Sequence, residues 1–84
     1  MIFTVCYSAK SLNSLKKIPE SWQKRIVKAV SGLKENPYEG KKLQGRLGNL
    51  YSLRVWPYRI IYIIKKQEIA VLILDIGHRQ NIYK

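Results

Sequence analysis

Residues 51–76 read YSLRVWPYRIIYIIKKQEIAVLILDI. The stretch divides into three runs rich in β-branched and aromatic residues: 51–56 (YSLRVW), 58–65 (YRIIYIIK) and 68–76 (EIAVLILDI). Such runs read as strands. Pro57 interrupts the first pair, so a tight turn or bulge is expected there. Lys66-Gln67 suits a two-residue hairpin, although the preferred glycine is missing. Side chains alternate along a strand. Tyr51, Leu53 and Val55 therefore share one face, expected against helices, while Ser52, Arg54 and Trp56 share the other, expected open.

Upstream, residues 37–50 (PYEGKKLQGRLGNL) hold three of the five glycines together with Lys41, Lys42 and Arg46. This composition reads as a loop, with Gly48-Asn49 resembling a turn entry. Before it, Trp22, Ile26, Ala29, Val30 and Leu33 recur at helical spacing and form one apolar stripe. Lys24, Arg25 and Lys28 lie largely off that stripe, and Asn36-Pro37 stops the helix. Ser8 or Ser11 caps a shorter helix carrying Leu12, Leu15 and Ile18, which Pro19 ends. Residues 2–7 (IFTVCY) read as a first strand. The order is β-α-α-β-β-β. The expected fold is α+β, with two N-terminal helices on one face of a small, mainly antiparallel four-stranded sheet.

At 84 residues the chain is read as a single domain, 1–84. A fraction of 46% hydrophobic residues is normal for a folded protein. The net charge is +11. Residues 1–40 carry seven Lys/Arg and three Asp/Glu, residues 41–84 nine and two, so the excess is +4 against +7. Self-repulsion of this size opposes compactness, and a polyanionic partner is the usual reason for it. Cys6 is the only cysteine, so no internal disulfide forms, which fits a reducing cytoplasm. Its strand setting reads as a small buried hydrophobe. The N-terminus MIFTVCYSAK lacks the pattern of a signal peptide. The longest apolar runs fall far short of the roughly 20 residues that span a bilayer. The expectation is a cytoplasmic protein without a membrane.

Several chemistries have no residues to carry them. The five acids are scattered, and one Cys and one His lie far apart, with no metal spacing. Neither GxxxxGK[ST] nor G-x-G-x-x-G occurs, so no metal or cofactor is expected. What remains is Arg54, Arg59, His78, Arg79 and Tyr83, with Lys41, Lys42 and Arg46 in the loop. Arginine forks match phosphate oxygens and stay charged at every working pH. Several on one surface would stabilise the extra charge of a pentacoordinate phosphorane. His78 has an ordinary pKa near neutrality and suits a general acid for a leaving 5′-oxygen. Tyr83 is a proton acceptor or a surface for base stacking. Trp56 covers sheet surface or stacks on a base. Such a set needs neither metal nor carboxylate if the nucleophile is RNA's own 2′-hydroxyl.

The stretch KKLQGRLGNLYSLRVWPYRIIYIIKKQEIAVLILDIGHRQNIYK resembles the C-terminal half of the RelE/ParE superfamily of toxins from toxin–antitoxin pairs. The shared pattern is a K-L-x-G loop, an arginine-containing strand, Y-R-x-x-Y, and G-(H/K)-R-x-x-x-Y. The resemblance implies a ribosome-dependent mRNA endonuclease that inhibits translation. In it the 2′-hydroxyl attacks the adjacent phosphate. Arg59 and Arg79 would stabilise that phosphate, Tyr83 would accept the proton or stack, and Arg54 and His78 stand at basic positions of the pattern. Lys41, Lys42, Arg46, Ser52 and Trp56 are the candidate RNA contacts. Ser52 departs from the pattern, which often has Lys or Arg there, and shifts proton handling toward Tyr83 and His78. The implied partners are an acidic cognate antitoxin, the ribosome and mRNA. Two other readings stand beside this one: a ParE-like gyrase inhibitor without catalysis, and a catalytically weak RNA-binding relative.

Overall fold

A computed structural model describes residues 2–43 and 50–78 of the chain. These residues form five strands and two α-helices: β1 (Thr4–Tyr7), α1 (Ala9–Lys16), α2 (Glu20–Gly32), β2 (Lys41–Lys42), β3 (Leu50–Val55), β4 (Tyr58–Lys65) and β5 (Ala70–His78). A 3-10 turn, Lys66–Glu68, joins β4 to β5.

The helices start and stop for local reasons. Ser8 sits outside helical geometry at the head of α1, and its hydroxyl accepts from the Ser11 amide. A side-chain oxygen there satisfies one of the orphan amides of the first turn. Ser11 is therefore the recipient of the cap, not the cap itself. α2 begins directly after Pro19, whose carbonyl accepts from the Trp22 and Gln23 amides. Its stripe is inward as expected: Ile26, Val30 and Leu33 are buried, and Trp22 is half-buried against the same core. Ile18 is buried too, but it lies past the end of α1, in the connector between the helices.

The strands lie in the order β1-β5-β4-β3-β2. The sheet is mixed and five-stranded among the described residues, which corrects the expected four-stranded arrangement. The added strand is β2, where Lys41 pairs with Ser52 and Lys42 with Tyr51. Two lysines in a glycine-rich stretch give no β pattern; the neighbouring strand imposes extended backbone on them. The mixed character comes from β1, which runs parallel to β5 with Val5 opposite Val71. The other pairings, β2–β3, β3–β4 and β4–β5, are antiparallel.

Two connections also differ from expectation. Lys66-Gln67 is not a two-residue hairpin, because the 3-10 turn ends at Ile69 with φ 50°, and β5 starts at Ala70. At the other end of β4, Trp56 and Pro57 form the turn, joined by a cis peptide bond, so Trp56 lies outside β3.

β4 lies at the centre of the sheet. Ile60, Tyr62 and Ile64 face the helices together with Val71, Ile73 and Ile76 of β5. Tyr51, Leu53 and Val55 of β3 pack against the same cluster, as alternation requires. Each such aliphatic side chain contributes about 1.5–3 kcal/mol by leaving water. Ile73 and Ile76 are three residues apart yet share a face. A register shift accounts for it: Ile61 pairs with Asp75, the next residue Tyr62 pairs with Ile73, and Leu74 is left over. Such a bulge inverts the alternation downstream of it. Residues 76 and 78 therefore face the helices, and residue 77 faces away.

Cys6 is exposed, not buried. β1 is an edge strand, and Cys6 alternates with Val5 and Tyr7, which take the core side.

Candidate nucleic-acid interface

On the sheet face turned from the helices, Arg54 of β3 stands directly opposite Arg59 of β4. Arg59 in turn stands opposite Gly77 of β5, which has no side chain to place over the row. Directly opposed residues in an antiparallel pair have Cβ atoms about 4.5–5.5 Å apart, and like charges there are destabilising. Arg54 is exposed, while Arg59 is half-buried with its Nε below the surface. Acids of the sheet and its margin are engaged elsewhere: Glu39, which shares a groove with Arg54, accepts from Asn36 Nδ2 at 3.2 Å. Asp75 is 3.4 Å from Lys10 of α1 and accepts from Ser14 Oγ and the Ile76 amide. Glu68 lies 3.8 Å from Lys65. Two guanidiniums side by side make a fork-shaped receptor for the oxygens of one phosphate.

Lys41 extends this face. It pairs with Ser52, two residues along β3 from Arg54, and its side chain is exposed. Lys42 pairs with Tyr51 and so belongs to the opposite face. Ser52 corrects an expectation. It points away from the helices as predicted, but it is only 5% exposed and offers RNA little surface. Trp56, 53% exposed at the hairpin tip, is available to an incoming base.

His78 is placed apart from the arginines. It pairs with Tyr58, and the two rings meet edge-on with centroids 6.0 Å apart. Tyr58 lies 5.6 Å from Trp22 of α2, and the Arg25 guanidinium sits 4.8 Å over the Trp22 ring. His78 thus joins an aromatic cluster on the helix side, at the same end of the sheet as Arg54 and Arg59 but across it. The bulge in β5 is the cause. Arg46, Arg79 and Tyr83 lie outside the described residues.

Sequence reasoning passed over two basic residues that share a groove with Arg54. Arg25 and Lys28 of α2 line a groove of about 470 Å³ with Gly32, Glu39, Leu53 and Arg54. The available signal was their position off the apolar stripe of α2, which puts them at the helix–sheet margin. Arg54 therefore joins a cationic edge running from the sheet face toward α2.

Among the described residues two phenols are perturbed. Burial pushes Tyr62 above its ordinary value of 10.0, with Tyr51 and Glu39 adding to the rise and the Gly40 amide opposing it. Burial likewise raises Tyr7. Neither phenol belongs to the arginine row.

With this geometry in place, the chain can be compared with known proteins. Residues 5–83 match the family model for the ParE toxin of type II toxin–antitoxin systems, parDE. The chain is 31% identical over 86 residues to Toxin RelG of Mycobacterium tuberculosis, covering 100% of this chain and 99% of that protein. It is 28% identical to Putative toxin RelE1 of Methanocaldococcus jannaschii, covering 100% and 98%. Among solved structures, it superposes on a chain of the Mycobacterium tuberculosis toxin–antitoxin complex RelBE2 with a TM-score of 0.86. That match is 28% identical and covers 94% of this chain and 100% of the other.

Proposed function

This chain belongs to the RelE/ParE superfamily of type II toxins, and from that premise we propose that it is an RNA-cleaving member. Its substrate is mRNA on the ribosome. The observation that carries the reading is the direct apposition of Arg54 and Arg59 on an open sheet face. Like charges directly opposed on a ladder repel each other; an anion between them turns that repulsion into binding energy.

The chemistry needs no external nucleophile. The RNA 2′-oxygen loses its proton and bonds to the adjacent phosphorus. The bond to the 5′-oxygen breaks, and that oxygen takes up a proton. The products are a 2′,3′-cyclic phosphate and a 5′-hydroxyl. Arg54 and Arg59 hold the phosphate and stabilise the charge that builds on it in the transition state. Arg79 and Tyr83, assigned through the family pattern, complete the set as a further cation and the proton acceptor. His78, packed on Tyr58, acts as a positioning residue that holds the end of β5. Lys41 and Trp56 contact the flanking RNA.

An acidic antitoxin is the partner that silences this surface. The solved relative RelBE2 is itself a toxin–antitoxin complex. A charge of +11 makes capture of such a partner fast and salt-sensitive. Among the described residues no helix is long and apolar enough to cross a membrane, and the working place of the proposed activity is the cytoplasm.

Purified protein added to programmed ribosomes should cut mRNA, and Arg59→Ala should slow the cut by roughly 10²–10³-fold, the usual loss when one charge-stabilising group is removed. Undiminished cutting by that variant would refute the assignment. The match to a ParE family model keeps one rival reading in the same assay. Intact mRNA accompanied by gyrase-dependent DNA breaks would identify a gyrase inhibitor instead.

A further inference from the structure

We propose that the protein carries a second RNA contact, a base-stacking platform built on Tyr38 and rimmed by Lys42 and Lys66, at the end of the sheet remote from Arg54 and Arg59. The inference rests on the RNA-directed reading above and adds a separate site to it.

The β3–β4 hairpin has its turn at residues 56–57, beside the arginine pair. Its open end lies at Leu50 and Lys65. Six residues separate Arg59 from Lys65, or about 20 Å of strand. At that far end is a cavity of about 520 Å³, lined by Tyr38, Lys42, Tyr51, Lys65, Lys66 and Glu68 among others. Glu68 accompanies three lysines and lies 3.8 Å from Lys65, so the rim keeps a positive excess.

Tyr38 and Tyr51 line the cavity, and Tyr62 behind them completes a ladder of tyrosines. Tyr62, fully buried, stacks on Tyr51 at 5.5 Å and an interplanar angle of 18°. Tyr51 meets Tyr38 edge-on at 5.9 Å. Tyr38 is the outermost rung and is 47% exposed. The Lys66 ammonium lies 5.8 Å from its ring centroid.

Tyr38 is also held rigidly from below. The Tyr62 hydroxyl donates to the Pro37 carbonyl at 2.8 Å and accepts from the Gly40 amide at 3.0 Å. These anchors bracket Tyr38 on both sides in sequence. An exposed ring on a fixed backbone loses little freedom when it binds. Aromatic faces beside cations are how proteins hold single-stranded nucleic acid without reading its sequence, since every base has a π-face. The lysine stems swing to the phosphate while the base lies on Tyr38. An acidic peptide would use the lysines and have no need of the ring.

The test uses a labelled single-stranded oligoribonucleotide of about ten nucleotides, within ordinary site sizes, and fluorescence anisotropy. Tyr38→Ala should weaken binding roughly 5- to 100-fold. Tyr38→Phe, which keeps the ring, should bind like the parent. Lys66→Gln should weaken binding and lower its salt dependence, because one fewer counterion is released. Parent-like binding by Tyr38→Ala would overturn the proposal. So would a Lys66→Gln defect confined to poly-glutamate, which would assign the surface to an acidic protein. Cleavage on programmed ribosomes separates the two readings. Ring-dependent RNA binding without any cleavage removes the nuclease assignment and leaves the platform standing. Cleavage with parent-like binding by Tyr38→Ala removes the platform alone.

Discussion

Replacing Tyr62 by phenylalanine deletes one oxygen from the centre of the molecule and should cost more than its size suggests. The side chain is fully buried, and its hydroxyl bridges two backbone groups of the α2–β2 connector, the Pro37 carbonyl and the Gly40 amide. Pro37 is buried, so its carbonyl loses this hydrogen-bond donor where water has poor access. Leaving such an acceptor unsatisfied costs about 1–3 kcal/mol. Gly40 is only half-buried, and water can replace part of its bond, which adds about 1 kcal/mol or less. The sum is about 2–4 kcal/mol, against a total of roughly 4–13 kcal/mol for a domain of this size. At about 4–8 °C per kcal/mol, the melting temperature should fall by about 8–32 °C. Thermal unfolding followed by circular dichroism reads this directly. A fall under about 3 °C would refute the reasoning, because it would mean the bridge contributes nothing net. A companion variant strains the same contact from the other side. A Cβ on Gly40 would stand 2.6 Å from Tyr62 Oη and 2.8 Å from the Ser52 carbonyl oxygen. Gly40→Ala should therefore destabilise by about 1–3 kcal/mol. The double variant should cost less than the sum, since both act on one contact.

Two further outcomes follow from the site and from the buried phenols. Arg54→Gln should leave stability unchanged or raise it by about 0.2–1 kcal/mol in urea titration, because it relieves opposed like charges. The same change should lower mRNA cleavage on the order of 10²-fold; a variant both less stable and fully active would contradict the functional reading. Stability should also decline at alkaline pH. Tyr62 and Tyr7 hold their protons more tightly folded than unfolded, so above pH 10.0, their ordinary value, the unfolded chain releases protons first and is favoured. The loss begins near that pH and continues until the raised folded values are passed. Tyr7→Phe should shrink it, as measured by urea midpoints between neutral and alkaline buffer, and an unchanged slope would refute the assignment.

Much of the fold was legible because local pattern and packing agree in it. The stripe on α2 and the alternation of Tyr51, Leu53 and Val55 both report the same core. β4 ran over 58–65 as its composition indicated. Other features carry no local signal. β2 is extended only because β3 supplies partners for Lys41 and Lys42. The parallel placement of β1 is a tertiary choice, invisible in IFTVCY. The bulge at Leu74 matters most for the site. Six consecutive apolar residues, Ile69 to Leu74, look the same with or without one extra residue in register. That one residue decides whether His78 shares a face with Arg59 or with Tyr58. The cation pair was legible as two arginines, yet their direct opposition depends on the register of the β3–β4 hairpin.

The placement of charge on β4 follows from burial and constrains how a polyanion can lie on the protein. Ile60, Ile61, Tyr62 and Ile64 are all buried, so the middle of the strand is covered on both faces. An unpaired charge there would cost several kcal/mol. The strand's two cations, Arg59 and Lys65, accordingly stand near its opposite ends. Around one end gather Arg54, Arg25 and Lys28; around the other, Lys42 and Lys66. Lys41, beside buried Ser52, lies between them on the outer face. A ligand that satisfied only the arginine pair would leave the remote lysines solvated and their repulsion unrelieved. Because Lys42 belongs to the face opposite the arginine pair, a single strand of RNA neutralises both groups at once only when it is longer than the roughly 20 Å of strand between them and also rounds the sheet edge. The salt dependence of binding should therefore steepen when the oligonucleotide grows long enough to reach from Arg59 to Lys66, because more counterions are released per molecule bound.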